Sequence, residues 1–320
     1  MSRAPFTIAE TEVRAGRRAK LELPIARLTS GTPVALPVLV IHGTADGPTI
    51  WLSAAVHGDE LCGVEVIRRV LATVDARNLA GTVIAVPVVN VHGFNTGDRY
   101  LPDRRDLNRS FPGSPRGSLA SRVANLMMTE IIGRCSMGID LHTGSDHRVN
   151  LPQVRGDLDV PEVRKLADAF AAPLMLHART RDGSLREAAT RAGAATLLFE
   201  GGEADRFDEW SIGTGTDGVL RAMQSVGMIS DAPAPAHPSR SSRSSAWVRA
   251  TRSGITHLDV ALGDTIGEGD EIAAIHDPFG KRLGTVRSRL AGMVIGHTRH
   301  PLVNRGDAIV HIAELEPVMT

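Results

Sequence analysis

WLSAAVHGDELCG, residues 51–63, is an apolar run that ends in His57-Gly58-Asp59-Glu60 and then takes up helical spacing. A histidine and a glutamate three residues apart, where a buried strand gives way to a helix, can aim a ring nitrogen and a carboxylate at one ion, as a zinc site requires. H-x-x-E alone is common, and a lone histidine is more often a satisfied core or surface residue, so other segments must supply the rest. MGIDLHTG, residues 137–144, reads as a short strand that delivers Asp140 and His142 on one face, because side chains two apart on a strand point the same way. His142 is then the candidate third ligand, and Asp140 the acceptor for the free ring N–H of a zinc histidine. Two histidines and a glutamate leave the fourth zinc position for water, which marks a catalytic site; a structural zinc takes four ligands, mostly thiolates.

The chain has 320 residues, above the ~250–300 at which a single core stops growing, so two domains are expected. Its 42% hydrophobic content is enough for a sizeable core. With 36 basic and 36 acidic residues, and with no long basic run or aromatic-rich segment, nucleic acid and an anionic membrane are excluded as main partners. Cys62 and Cys135 lie far apart and suggest neither a disulfide framework nor a Cys-rich zinc site. The first twenty residues lack the apolar core of a signal peptide and no apolar run reaches the ~18 residues of a membrane span, so the expected compartment is the cytoplasm.

Residues 8–28 alternate well enough for one or two opening strands, and PVLVIH (37–42), 49–56 and TVIAVPVV (82–89) read as further strands. Leu61, Val64, Ile67, Val70, Leu71 and Val74 keep helical spacing after the H-G-D-E turn, and 118–132 and 160–170 read as helices. TLLF (196–199) is a strand closing on Glu200-Gly201-Gly202. Alternating strands and helices predict an α/β fold with a mixed, largely parallel sheet flanked by helices. In such sheets the site lies beyond the carboxyl ends of the strands, where His57, Asn90, His142 and Glu200 all fall. The loop NVHGFNTGDRYLPDRRDLNRSFPG, 90–113, is too long and polar for a simple connection, and its Arg99, Arg104, Arg105 and Arg109 suit a substrate carboxylate. Internal pairing with Asp98, Asp103 and Asp106 is the bland alternative.

H-G-D-E after a strand, P-x-x-N, an Arg followed by D-L-N-R-x-F-P-G, D-L-H-T-G and a strand ending F-E-G-G occur in that order over roughly residues 35–225. Together they resemble the succinylglutamate desuccinylase/aspartoacylase family of the zinc carboxypeptidase superfamily. The resemblance implies one Zn2+ per subunit held by His57, Glu60 and His142, with Glu200 as general base. It also implies that Asn108 and Arg109 hold the substrate carboxylate and that Arg99 polarises the scissile carbonyl; the stretch after Arg99 is longer than in aspartoacylase, and Arg104 and Arg105 stand as alternatives for that role. Tyr100 is the only tyrosine, so any tyrosine that relatives contribute from their C-terminal portion is missing. Relatives further imply a homo-oligomer.

The chemistry follows independently from the residues. Zinc lowers the pKa of water to about 7, Glu200 takes the proton and passes it to the leaving amine, and an arginine shares the charge on the tetrahedral oxygen. Read alone, Glu200 is also a candidate surface-turn carboxylate, like Glu203, Asp205 and Asp208 beside it. His92, His147 and His177 read as solvated or strand-end residues, Cys62 as a small buried hydrophobe, and Asp59 as outside the metal's reach.

DAPAPAHPSRSSRSS, 231–245, reads as a Pro/Ser-rich linker or extended crossing segment between a hydrolase domain at 1–230 and a small all-β domain at 246–320. The echo LGDTI, EGDEIAAI and RGDAIVHI suggests a β barrel or sandwich there, resembling the barrel-sandwich hybrid of biotinyl and lipoyl carriers. Lys281, its only lysine, sits in F-G-K-R and does not match the carrier motifs, so a β cap that shapes the pocket or mediates assembly is the expectation. The expected function is a zinc amidohydrolase that removes an acetyl- or succinyl-type group from an N-acyl amino acid. The alternatives are a carboxypeptidase-like zinc peptidase and a non-catalytic binding protein on the same fold.

Overall fold

The computed structural model describes residues 3–317. Strands β1 (Phe6–Ile8) and β2 (Thr11–Val13) form an antiparallel pair. They are followed by β3 (Arg17–Arg27), β4 (Pro33–His42), β5 (Ala45–Ala54), helix α1 (Cys62–Thr73), β6 (Ala80–Val86) and the short helix α2 (Val91–Thr96). Helix α3 (Leu119–Leu126) continues through a π-helical turn at Met127–Ile131. Then come β7 (Met137–Gly144), β8 (Arg148–Gly156), α4 (Pro161–Phe170), β9 (Leu174–His177), α5 (Leu185–Arg191), β10 (Ala195–Glu203) and α6 (Glu209–Ser225).

The main sheet has β6, β5, β7 and β10 side by side and parallel. Antiparallel neighbours flank them, β4 and β3 on one side and β8 on the other, so the sheet is mixed, with a parallel centre. Its central strands are apolar on both faces because helices cover both. Ile50, Leu52 and Ala54 point into one core with Val66 and Ile67 of α1, Leu166 of α4 and Val219 of α6. Trp51 points the other way, into a core with Val123 of α3 and Leu185 of α5. The same alternation sends Ile139 and Leu141 into the first core, which leaves Asp140 and His142 on the opposite face of β7. Leu197 and Phe199 likewise enter that core and turn Glu200 to the face of His142, its register partner on β7.

The C-terminal part differs from the separate unit expected. It comprises β11 (Arg240–Ser242), β12 (Ser244–Arg249), β13 (Gly254–Leu258), β14 (Thr265–Ile266), β15 (Glu271–His276), β16 (Arg282–Arg287), β17 (Gly292–Thr298), β18 (Leu302–Val303) and β19 (Ala308–Glu314). It is all-β and has its own core around Ile272, Val294 and Ile309, with β16, β15, β13 and β18 in a four-stranded sheet. Its other strands, however, extend the main sheet: β17 pairs with β8, and β19 and β12 follow. The stretch expected as a linker or extended crossing segment at 231–245 runs irregularly past Pro233, Pro235 and Pro238 and then enters the same sheet, β11 pairing with β9 and β12 with β19. Prolines carry no N–H for a ladder, whereas the serines beyond them do, which is where the pairing begins.

Candidate active site

Strand β5 ends at Ala54, and Ala55 adopts a left-handed conformation, φ 47°. The Ala54 and Ala55 carbonyls accept the N–H groups of Val89 and Asn90 at 3.0 and 2.8 Å, which bends the chain over the carboxyl end of the sheet. The H-G-D-E turn then packs on α2 so closely that a Cβ at Gly58 would lie 2.1 Å from the Gly93 carbonyl carbon, so only glycine fits. His57 and Glu60 thus sit on the turn ahead of α1.

Glu60 lies between the two histidines. Its Oε1 is 2.7 Å from His57 Nδ1 and its Oε2 2.8 Å from His142 Nδ1. All three side chains are buried, and their ligand atoms lie within 4.8 Å of one another. The outer ring nitrogens are taken by other carboxylates. His142 Nε2 donates to Asp140 Oδ2 at 2.8 Å, and Asp140 Oδ1 accepts from Ser53 Oγ at 2.7 Å. His57 Nε2 lies 3.2 Å from Asp106 Oδ1. Burial opposes the charged form of both rings, but the surrounding carboxylates outweigh it, and both imidazoles hold their protons more tightly than a free histidine. Burial opposes charge on Glu60 too, yet the two histidines hold it well below the usual carboxylate range. Two imidazole nitrogens and a carboxylate oxygen, each ring oriented by an outer carboxylate, form a donor set that fits zinc.

Arg99 reaches the same centre. Its NH1 donates to Ser145 Oγ at 2.6 Å and lies 3.3 Å from Glu60 Oε1, while NH2 lies 3.4 Å from Asp106 Oδ2. Arg104 and Arg105, the alternatives for its role, are exposed, and Arg105 pairs with Asp103 at 3.5 Å. Asn108 is buried; its Oδ1 accepts the Leu185 N–H at 2.9 Å, which leaves the Nδ2 end for a ligand. Arg109 is exposed at the rim.

These residues open into one cleft of about 530 Å³ that also takes in Glu200. Glu200 Oε2 accepts from Asn150 Nδ2 at 2.7 Å, and Oε1 lies 4.0 Å from Arg155 NH1. The far wall carries Arg155, Arg181 and Arg186, and the C-terminal strands close it with Ser245, Trp247 and His311. Trp247 stacks on His311 at 4.7 Å between ring centroids, and the Arg148 guanidinium lies over the indole at 5.4 Å.

The structure brings His57, Glu60, Arg99, Asn108, Arg109, His142 and Glu200 to this cleft, with Asp140 behind His142. Asn90 is elsewhere: fully buried, it caps α2 and donates to the Arg99 carbonyl at 3.3 Å. Cys62 is a buried thiol pushed up to about 11 by burial, held between the Arg206 carbonyl and the Asp208 N–H. Asp59 is not part of the His57, Glu60 and His142 cluster, and burial raises its carboxyl to about 6. Sequence reasoning treated Asp106 only as a partner for arginines, although its place at the head of D-L-N-R, where its Oδ1 accepts the Asn108 N–H at 2.8 Å, was a signal. Asn150, Arg155 and Arg186 were not singled out, and neither were Trp247 and His311.

Residues 46–226 match the sequence model of the succinylglutamate desuccinylase/aspartoacylase catalytic domain. N-alpha-acetyl-L-2,4-diaminobutyric acid deacetylase of Halomonas elongata is 28% identical over 310 residues, covering 92% of this chain and 90% of its own. Among solved structures, a succinylglutamate desuccinylase/aspartoacylase from Rhodobacter sphaeroides superposes with a TM-score of 0.84 at 27% identity, over 97% of this chain and 99% of that one. The product-bound ectoine utilization protein EutE (DoeB) from Ruegeria pomeroyi shares the fold, with a TM-score of 0.85 at 23% identity over 98% of this chain and 99% of that one. No helix among the described residues is long and apolar enough to cross a membrane. With more than half of its length inside the family's catalytic domain, the chain belongs to the succinylglutamate desuccinylase/aspartoacylase family.

Proposed function

We propose that this chain is a zinc-dependent amidohydrolase that removes an acyl group, of acetyl or succinyl type, from an N-acyl amino acid. The observation that carries the reading is the buried His57, Glu60 and His142 cluster at the head of a cleft that also holds Arg99 and Glu200. The deacetylase name of the Halomonas relative supports it. His57, Glu60 and His142 would hold the zinc, which when bound supplies Lewis acidity that lowers the pKa of water to about 7. Asn108 Nδ2 and the Arg109 guanidinium bind the substrate carboxylate at the rim. Arg99, fixed by Ser145 and Asp106, faces the negative charge that develops on the carbonyl oxygen. Glu200 accepts a proton from the attacking water and returns it to the amide nitrogen as the C–N bond breaks, giving a carboxylate and a free amine. Two free thiols, Cys62 and Cys135, suit the cytoplasm, and a homo-oligomer is part of the same proposal.

The test is amine release by the zinc-loaded protein from a panel of N-acetyl, N-succinyl and N-formyl amino acids and dipeptides. Glu200→Gln should keep its zinc and lose ~10²–10⁴-fold in kcat, the range of a lost general base. His57→Ala should lose the metal itself, read by metal analysis. Turnover of one N-acyl amino acid that disappears in Glu200→Gln establishes the reaction; cleavage of dipeptides alone assigns the site to a peptidase, and a fully active Glu200→Gln removes the general-base role.

A further inference from the structure

Asn150 lies on β8, between the parallel centre of the sheet and its C-terminal extension, and no motif claims it. Its Nδ2 donates to Glu200 Oε2 at 2.7 Å from a side chain only 7% exposed. Regular pairing would not put the two together. Glu200 pairs with Gln153 and Gly202 with Asn150, so two steps along β10 (200 to 202) match three along β8 (153 to 150). Pro152, which has no N–H to lose from the ladder, falls in that bulge.

On its other side Asn150 is the register partner of Gly296 on β17. A Cβ at Gly296 would lie 2.8 Å from Asn150 Oδ1, so the amide oxygen occupies space that only glycine leaves open. Because a carboxylate only accepts, the NH2 end must face Glu200 and the oxygen must face Gly296. Glu200 Oε1 makes no hydrogen bond among the described residues; Arg155 NH1, at 4.0 Å, is its nearest charged partner.

We propose that Asn150, seated on Gly296, is a positioning residue for Glu200: it ties down Oε2 and leaves Oε1 to take and return the proton. The proposal rests on the reading of Glu200 as general base. It gives the C-terminal strands a part in the reaction, because Gly296 lies outside the 46–226 catalytic match and acts through the amide it seats.

The experiment compares Asn150→Ala, Gly296→Ala, the double variant and Glu200→Gln as full-length, zinc-loaded proteins, on the panel substrate with the highest turnover. Metal content and thermal midpoint are read beside the kinetics. Asn150→Ala should lower kcat about 10-fold or more, the loss expected for one hydrogen bond to a charged group, with KM within about twofold and zinc content unchanged. Gly296→Ala should lower kcat by displacing the amide. In the double variant the Gly296 change should cost less than about twofold further, since no amide remains to be displaced. Wild-type kcat in Asn150→Ala beside an inactive Glu200→Gln overturns the proposal alone, as do losses that simply multiply in the double variant. Turnover that survives Glu200→Gln removes the general-base reading and this proposal together.

Discussion

The two ends of the cleft are built on opposite electrostatic plans. At the His57, Glu60 and His142 end every charge is answered within 3.4 Å: Glu60 by two rings and Arg99, His57 by Asp106, His142 by Asp140. At the other end the arginines outnumber the carboxylates, with only the long pairs Arg148–Asp146 at 3.9 Å and Arg155–Glu200 at 4.0 Å. Seven arginines line the cleft against three carboxylates, Glu60, Asp146 and Glu200, and only Glu200 lies near the far wall. Arg186 is buried there with its guanidinium on the Ala178 and Arg179 carbonyls, both at 2.8 Å. Burial, with Arg155 beside it, lowers Arg186 to about 10, so it still carries its charge at neutral pH. Carboxylates that hold protons on buried imidazoles can exchange those protons for a metal cation, whereas an arginine-rich wall favours anionic groups.

The largest effect that can break this contrast concerns the arginine tied to the closed end. Arg99→Ala should cost ~10²–10³-fold in kcat, as the loss of one donor to a developing oxyanion does, whereas Arg105→Ala on the exposed loop should stay within about twofold. Steady-state kinetics on the two variants decides it: equal losses would mean that the loop arginines act as one cationic surface and that the closed end holds no special donor. A smaller effect belongs to Asp106, which joins His57 to Arg99. Asp106→Asn keeps the shape and weakens the pull on the outer ring nitrogen, so zinc affinity should fall ~10–100-fold, the usual cost of losing a carboxylate behind a metal histidine. Competition with a chelator measures it, and an unchanged affinity would show that Glu60 alone orients the ring.

How much of this could be read from the sequence depends on how local the signal is. His57 and Glu60, three apart on one turn, and Asp140 and His142, two apart on one strand, are placed by spacing that survives any tertiary arrangement. Glu200 was legible as the end of a short apolar strand. The helix at 185–191 also had a local signal: Ser184 Oγ accepts the Glu187 N–H at 3.2 Å and Glu187 Oε2 accepts the Gly183 N–H at 2.7 Å, close to a capping box. Strand β8 had none, because Asn150, Pro152, Gln153 and Arg155 contradict the apolar pattern of a strand in mid-sheet, and a proline there usually marks an edge. The wall made by Trp247 and His311 was beyond reach for another reason. It exists because β17 pairs with β8 across some 140 residues of chain, Gly296 opposite Asn150, and no spacing rule encodes that contact.

His311 offers the smallest and sharpest test of the arginine-rich end. Burial comes first, and the charges of Arg155 and Arg181 add to it, pushing the imidazole down to about 3 from its ordinary 6.5. Its Nε2 is 3.0 Å from Ser245 Oγ, and the ring lies flat against Trp247. Between pH 6.5 and 3 the unfolded chain therefore binds a proton at this position that the folded protein refuses, so stability contributed here rises with pH across that window and is constant above it. The slope is up to about 1.4 kcal/mol per pH unit. Denaturant unfolding of the wild type and His311→Gln at pH 4, 5, 6 and 7 should show the wild type losing ground to the variant as the pH falls below 6.5, with no further change above it. Arg181→Ala should soften the loss, because one of the two charges holding the ring neutral is gone. If the wild type and His311→Gln lose stability in parallel, the ring accepts its proton in the folded state, and the far wall is less cationic there than Arg155 and Arg181 would make it.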